Sequence, residues 1–147
     1  MNEIEIIESV ISSFYSIISG RADEPRDWDR LLSLFVPGAT VISSSMATSP
    51  KGPATAVAFS EYANKLASVL AKSDFFETVS VQRIEVFDLI AQAVCIYEAR
   101  QSPTDPEPTR RGVHYVHLVR IKENWRIAGM IWLDAADERP MPREYLS

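Results

Sequence analysis

Apolar residues recur at helical spacing up to Ser73 and at every second position from Thr78 onward. This single change of period restricts the chain to a run of helices followed by a long sheet. From Ile4 the stripe continues through Ile7, Ile11, Phe14 and Ile18, widened by Val10 and Ile17. That spacing predicts an amphipathic first helix with Glu3, Glu5 and Glu8 near its positive end and Gly20 as a left-handed cap. Tyr15 falls at the edge of the stripe, where its ring packs and its hydroxyl faces a cavity or water. Asp27 is placed to cap a second helix bearing Trp28, Leu31, Leu32 and Phe35, ended by Pro37-Gly38. A strand ATVIS and a loop MATSPKGP follow, and Ser60 can cap a third helix carrying Tyr62, Ala63, Leu66, Val69 and Leu70.

In the sheet half, Val79 and Val81 alternate in one phase and Ile84 and Val86 in the other, which predicts a bulge near Gln82 and Arg83. The next strand, Leu89 to Arg100, carries Ala91, Ala93, Cys95, Tyr97 and Ala99 on one face, a set that is small apart from the tyrosine. Small residues suit close approach by another element or a ligand. Gly112 to Lys122 and Trp125 to Asp134 then read as a hairpin turning at Glu123-Asn124. In that register His117 lies opposite Met130, Tyr115 opposite Trp132 and Val113 opposite Asp134, while Val116, Leu118 and Ile131 share the other face. Both faces are apolar, so both need cover: helices on one and a second copy of the chain on the other. The first face is expected to line a pocket, with burial keeping the His117 imidazole neutral between Tyr115 and Val119.

The chain has 147 residues and no linker-like stretch, so one α+β domain over 1–147 is expected. Fifteen basic residues stand against twenty acidic ones, a net charge of -5 that disfavours a nucleic-acid partner. The acidic N-terminus has no basic signal region, and no apolar run approaches the ~18 residues that span a membrane. A cytoplasmic location is the expectation. His114 and His117 fall on opposite strand faces, and no Cys or His spacing resembles a metal site. Nor is there a phosphate-binding glycine loop or a nucleophile elbow, so neither a metal nor another cofactor is expected.

The segment DWDRLLSLFVPGATVIS after an amphipathic helix, followed by a capped helix, long strands and KENWRIAGMIW, resembles the nuclear transport factor 2-like (NTF2-like) superfamily. Within it the likeness is to the polyketide-cyclase (SnoaL-like) branch, and it spans nearly the whole chain. The resemblance implies a cone, in which three N-terminal helices pack on a curved, mostly antiparallel sheet around a pocket. It also implies a homodimer formed through the outer sheet face. Enzymes of the superfamily, such as ketosteroid isomerases, scytalone dehydratases and limonene epoxide hydrolases, move protons in an apolar pocket without metals. His117 falls where the isomerases place an acidic oxyanion donor, Met130 on a pocket-lining position, and Tyr15 close to the oxyanion tyrosine. Ser43 stands where those isomerases carry their carboxylate base, and FFETVSVQRIEV lacks the histidine of scytalone dehydratase.

Two functions are therefore expected from these residues. One is isomerase, dehydratase or cyclase chemistry on a small hydrophobic molecule, with His117, Asp134 and Tyr15 as the reacting or hydrogen-bonding groups and Trp28, Tyr62, Tyr97, Tyr115, Met130 and Trp132 as pocket walls. The other is a non-catalytic ligand-binding or dimeric assembly module.

Overall fold

Asn2 opens the first helix, its side-chain oxygen accepting from the Glu5 N–H at 2.9 Å. Glu3 and Glu5 place negative charge beside the free N–H groups of that turn. The computed structural model describes residues 1–146, and in it this helix, α1, spans Glu3–Ile18. Its stripe of Ile7, Ile11, Phe14, Tyr15 and Ile18 is buried. Each large aliphatic side chain so withdrawn from water contributes about 1.5–3 kcal/mol. Gly20 does not form the expected left-handed cap: Ser19 ends the helix in extended backbone and Gly20 pairs with Phe75. The Ser19 hydroxyl donates to the Tyr15 carbonyl at 2.7 Å and accepts from the Glu77 N–H at 2.9 Å. The end of the helix is thereby tied to the start of a strand.

Asp27 caps α2 (Trp28–Ser33) through the Arg30 N–H. The chain continues as β1 (Phe35–Ile42), the single turn α3 (Ser44–Ala47), β2 (Val57–Ala58) and α4 (Phe59–Leu70). Ser60 lies inside the first turn of α4, which starts at Ala58 without a side-chain cap. Among the described residues four α-helical segments thus replace the expected three, the addition being α3, whose turn is held by the Ser43 side chain accepting from Met46 N–H. The long strands follow: β3 (Phe76–Phe87), β4 (Ile90–Arg100), β5 (Arg110–Ile121) and β6 (Asn124–Asp134). They form one six-stranded sheet in the order β2-β1-β6-β5-β4-β3, with β1 parallel to β6 and every other pair antiparallel. The class is α+β with a mixed sheet, and α1, α3 and α4 lie against it. Among the described residues no helix is long and apolar enough to cross a membrane.

Gln82 is the extra residue between the pairs Val81–Cys95 and Arg83–Val94, so the phase change read in β3 is a bulge. The β5–β6 hairpin departs from its expected register in two ways. The turn residues are Lys122 and Glu123, with Lys122 at φ 59° and Ile121 opposite Asn124. A second bulge then adds Ala128 between the pairs Leu118–Ile127 and His117–Gly129. One extra residue reverses the face of everything beyond it relative to the partner strand. His114 therefore stands opposite Trp132, Tyr115 opposite Ile131 and Val116 opposite Met130.

Those pairings correct several expectations. Val116, Leu118 and Met130 are buried in the core beneath the helices rather than at a dimer face or a pocket wall. His117 and Tyr115 are exposed on the outer face, and His114 takes the buried position.

Candidate functional site

Between the inner sheet face, α3 and α4 lies a cavity of about 840 Å³. Phe14, Ile18, Tyr62, Leu66, Leu70, Phe75 and Trp132 supply its apolar wall. Glu77, Tyr97, Arg110, His114 and Asp134 bring polar groups to the same space, with Ser43, Ser44 and Ser45 at the α3 side. Apolar walls with a few convergent polar groups are the usual make-up of a small-molecule site. Of the residues singled out in the sequence, Tyr62, Tyr97, Trp132 and Asp134 line this cavity. Tyr15 sits one layer behind it, bonded to His114. Trp28 begins α2 and packs half-buried against the core.

His114 is 3% exposed and its ring meets Tyr97, Trp132 and Tyr15 at centroid distances of 4.5, 4.9 and 5.4 Å. The Tyr15 hydroxyl and His114 Nδ1 form a hydrogen bond. A buried phenol must donate its proton, and this is its one side-chain partner among the described residues, so Nδ1 accepts and Nε2 carries the ring proton. Burial drives the imidazole down to about 3, which leaves it neutral across the physiological range. His114 is accordingly a fixed neutral N–H donor rather than a proton shuttle.

Tyr97, Gly112 and Asp134 occupy one row across β4, β5 and β6. With no side chain at Gly112 in the way, the Tyr97 hydroxyl crosses β5 and donates to Asp134 Oδ1. Burial first, and then that bond, raise the Tyr97 phenol well above its ordinary range. Asp134 is anchored further by its own N–H to Ser44 Oγ at 2.9 Å and by Arg139 Nε to its carbonyl at 3.0 Å.

Glu77 is the site residue that sequence reasoning missed. Its backbone is set by the Ser19 clamp, and its carboxyl has no hydrogen-bond partner among the described residues. Burial raises the carboxyl to about 8, with Arg110 lowering and Asp134 raising it. The cavity thus holds a carboxyl that burial keeps protonated, Glu77, and a second, Asp134, that accepts from Tyr97. A signal was present: Glu77 stands two residues before Val79 and four before Val81, in phase with the face that turns inward.

Ser43 lines the cavity but is spent on capping α3 and on Ser45. Cys95 is fully buried and its thiol is pushed up to about 12, so it is packing rather than a nucleophile. No group of three His, Cys, Asp or Glu that could hold a metal ion occurs among the described residues. A second, more apolar groove of about 470 Å³ lies on the outer face between Val113, Tyr115, Ile131 and Leu133 and the C-terminal Pro140, Met141 and Pro142. Its lining is apolar apart from Tyr115, Asp134 and Arg139.

No family model and no curated relative matches the sequence. Solved structures do match in fold. An NTF2-like protein of unknown function from Shewanella baltica superposes with a TM-score of 0.67 at 14% identity, covering 92% of this chain and 95% of that one. A cystatin-like-fold protein of unknown function from Nostoc punctiforme gives 0.70 at 9% identity over 92% of both chains. A scytalone dehydratase candidate from Novosphingobium aromaticivorans gives 0.65 at 17% identity, over 91% of this chain and 85% of that one. The chain has the NTF2-like fold.

Proposed function

We propose that this NTF2-like chain binds a small hydrophobic molecule in its inner cavity and carries out metal-independent proton transfer on it, of the isomerase, dehydratase or cyclase type. The observation that carries this reading is the presence of two differently held carboxyl groups inside one aromatic cavity: Glu77, raised by burial and without a hydrogen bond among the described residues, and Asp134, which accepts from Tyr97. Environments that separate two titratable groups assign the acid and the base. Asp134, oriented by Tyr97, is the base, Glu77 is the acid, and His114 Nε2–H holds a substrate oxygen as negative charge develops there. The fold shared with the Novosphingobium protein, and the likeness of the sequence to the polyketide-cyclase branch, agree with this chemistry.

The test is proton exchange at carbon. Cyclic ketones and enones incubated with the protein in deuterated buffer are expected to exchange their α-protons, followed by NMR, and Asp134→Asn and Glu77→Gln to slow this by roughly 10²-fold or more. Exchange no faster than buffer across the panel, or an unaltered rate in Asp134→Asn, would sink the reading.

A homodimer accompanies this proposal and is the core of the second reading, a non-catalytic assembly module. The outer face leaves Tyr115 and Ile131 about half exposed, at 45% and 49%, beside an apolar groove. A contiguous apolar face of that kind is covered most economically by a second copy. Sedimentation at micromolar concentration is expected to give a dimer that Ile131→Lys converts to monomer. A monomeric wild type rejects it. We place the dimer in the cytoplasm.

A further inference from the structure

The polar groups around the cavity fall into those already engaged and those with bonding capacity unspent. Arg100 is committed to Glu98 and the Asp105 carbonyl, Asp74 to the Ala22 N–H, and Asp134 to Tyr97. Arg110, Lys65 and the Tyr62 hydroxyl line the same wall with no hydrogen bond or ion pair to the described residues. Glu77 and the Nε2–H of His114 face the cavity likewise. Apart from Ser73 and Gln101, which also line the cavity and can accept as well as donate, the unspent groups, counting Glu77 as the acid, can all donate, and two carry positive charge in a chain whose net charge is -5.

A cavity with exposed cationic donors in Arg110 and Lys65 and neutral ones in half-buried Tyr62 and buried His114 is complementary to an anion, because charged hydrogen bonds are roughly twice as strong as neutral ones. Arg110 begins β5 on the inward face, and its charge bears on Glu77, Tyr62 and Tyr97 together. A planar guanidinium beside two hydroxyl-type donors matches the fork of a carboxylate, which takes charged hydrogen bonds from Arg and neutral ones from the others. Above this cluster the aromatic wall of Phe14, Tyr62 and Trp132 suits a ring.

We propose that the ligand is the anion of a ring-bearing carboxylic acid, its carboxylate held by Arg110 with Tyr62 and Glu77 and its ring lying against Trp132. This rests on reading the cavity as a small-molecule site and narrows that reading to one class of molecule. Asp134 and Asp74 line the same space and repel such a ligand; Asp134 Oδ1 accepts from Tyr97 and Asp74 Oδ1 from the Ala22 N–H, which directs the ligand's charge to Arg110. Glu77 must be protonated to donate, and the groups that face it are Tyr15 from α1, Tyr62 from α4, Tyr97 from β4, Arg110 and His114 from β5 and Asp134 from β6.

Three isosteric probes separate the alternatives by calorimetry: 2-naphthoate, 2-naphthamide and protonated 2-naphthylmethylamine. Naphthoate is expected to bind roughly tenfold or more tighter than the amide at pH 6.5. Arg110→Gln is expected to bring that ratio close to one, and Arg110→Lys to restore part of it. Raising the pH to 9 is expected to weaken naphthoate by roughly tenfold in the wild type and to have little effect in Glu77→Gln, which keeps a donor at any pH. Equal or tighter binding of the amide or the amine overturns the anion assignment alone. Failure of all three to bind overturns the assignment together with the cavity reading beneath it, whereas naphthoate binding without any α-proton exchange removes the proton-transfer reading and leaves this one standing.

Discussion

Replacing Gly112 by alanine is expected to destabilise the protein by about 3–5 kcal/mol and to uncouple Tyr97 from Asp134. The backbone at Gly112 is ordinary strand, so the reason is space alone. A Cβ there would lie 2.2 Å from the Leu133 carbonyl oxygen, 2.3 Å from the Tyr97 hydroxyl and 2.6 Å from Tyr97 Cζ. The carbonyl belongs to the adjacent strand and cannot give way without disturbing the β5–β6 ladder. The Tyr97 ring can move, but only by abandoning Asp134. Overpacking of this kind costs about 1–3 kcal/mol, and loss of a hydrogen bond to a charged group a further ~1.5–3 kcal/mol. Urea denaturation measures the total, and a double-mutant cycle with Tyr97→Phe identifies the cause. Because phenylalanine removes the hydroxyl contact at 2.3 Å and has already given up the bond to Asp134, the two changes together are expected to cost at least about 1 kcal/mol less than their sum. Additive costs, or a Gly112→Ala variant within about 0.5 kcal/mol of wild type, would show that the sheet absorbs the methyl elsewhere.

How far such details could be read beforehand depended on whether the physics was local. The first helix, the Asp27 cap and the Gln82 bulge each announce themselves through the spacing of nearby residues, and each appears in the structure where its pattern falls. The small face of β4 likewise ends buried, with Ala93, Cys95 and Ala99 nearly inaccessible. The hairpin was different. Asn124 is the residue that conventionally tolerates a left-handed turn, yet Lys122 adopts it, and nothing in the Ala128-Gly129 pair distinguishes a bulge from regular strand. The interior decides that register: it buries Val116, Leu118, Ile127 and Met130 together, a long-range condition invisible in any short window. A one-residue bulge was enough to exchange His117 for His114. Tyr62, Tyr97, Trp132 and Asp134 reached the cavity all the same, Tyr62 and Tyr97 because they lie outside the hairpin. Trp132 and Asp134 reached it with a different partner strand face from the one expected. Glu77 escaped notice for a different reason, since a glutamate at the head of a strand reads as solvated unless the helix that closes over it is already known.

That half-buried glutamate sets the second large effect, a loss of stability of about 2 kcal/mol between pH 6.5 and 8.5 that Glu77→Gln abolishes. Folding raises the Glu77 carboxyl from an ordinary 4.5 to about 8, chiefly by burial. Between those two values the folded chain keeps a proton that the unfolded chain has released, so stability falls as pH rises through the window. His114 works in the other sense. Burial lowers it from 6.5 to about 3, so the unfolded chain binds the additional proton and stability falls as pH drops below 6.5. From 4.5 to 6.5 the two slopes oppose each other and much of the dependence cancels. From 6.5 to 8 only the Glu77 slope remains. One pH unit of unequal proton binding is worth about 1.4 kcal/mol, and the part of the window above 6.5 spans about one and a half units, which is the origin of the ~2 kcal/mol. Chemical denaturation of wild type and Glu77→Gln at closely spaced pH values tests this directly. The variant should match the wild type's stability near pH 4.5, within the cost of exchanging a carboxylic acid for an amide, and should exceed it progressively as pH rises toward 8, because only the unfolded wild type gains by ionising this carboxyl. Parallel profiles for the two proteins would mean that Glu77 meets solvent freely, and with that the acid in the proposed acid–base pair would be lost.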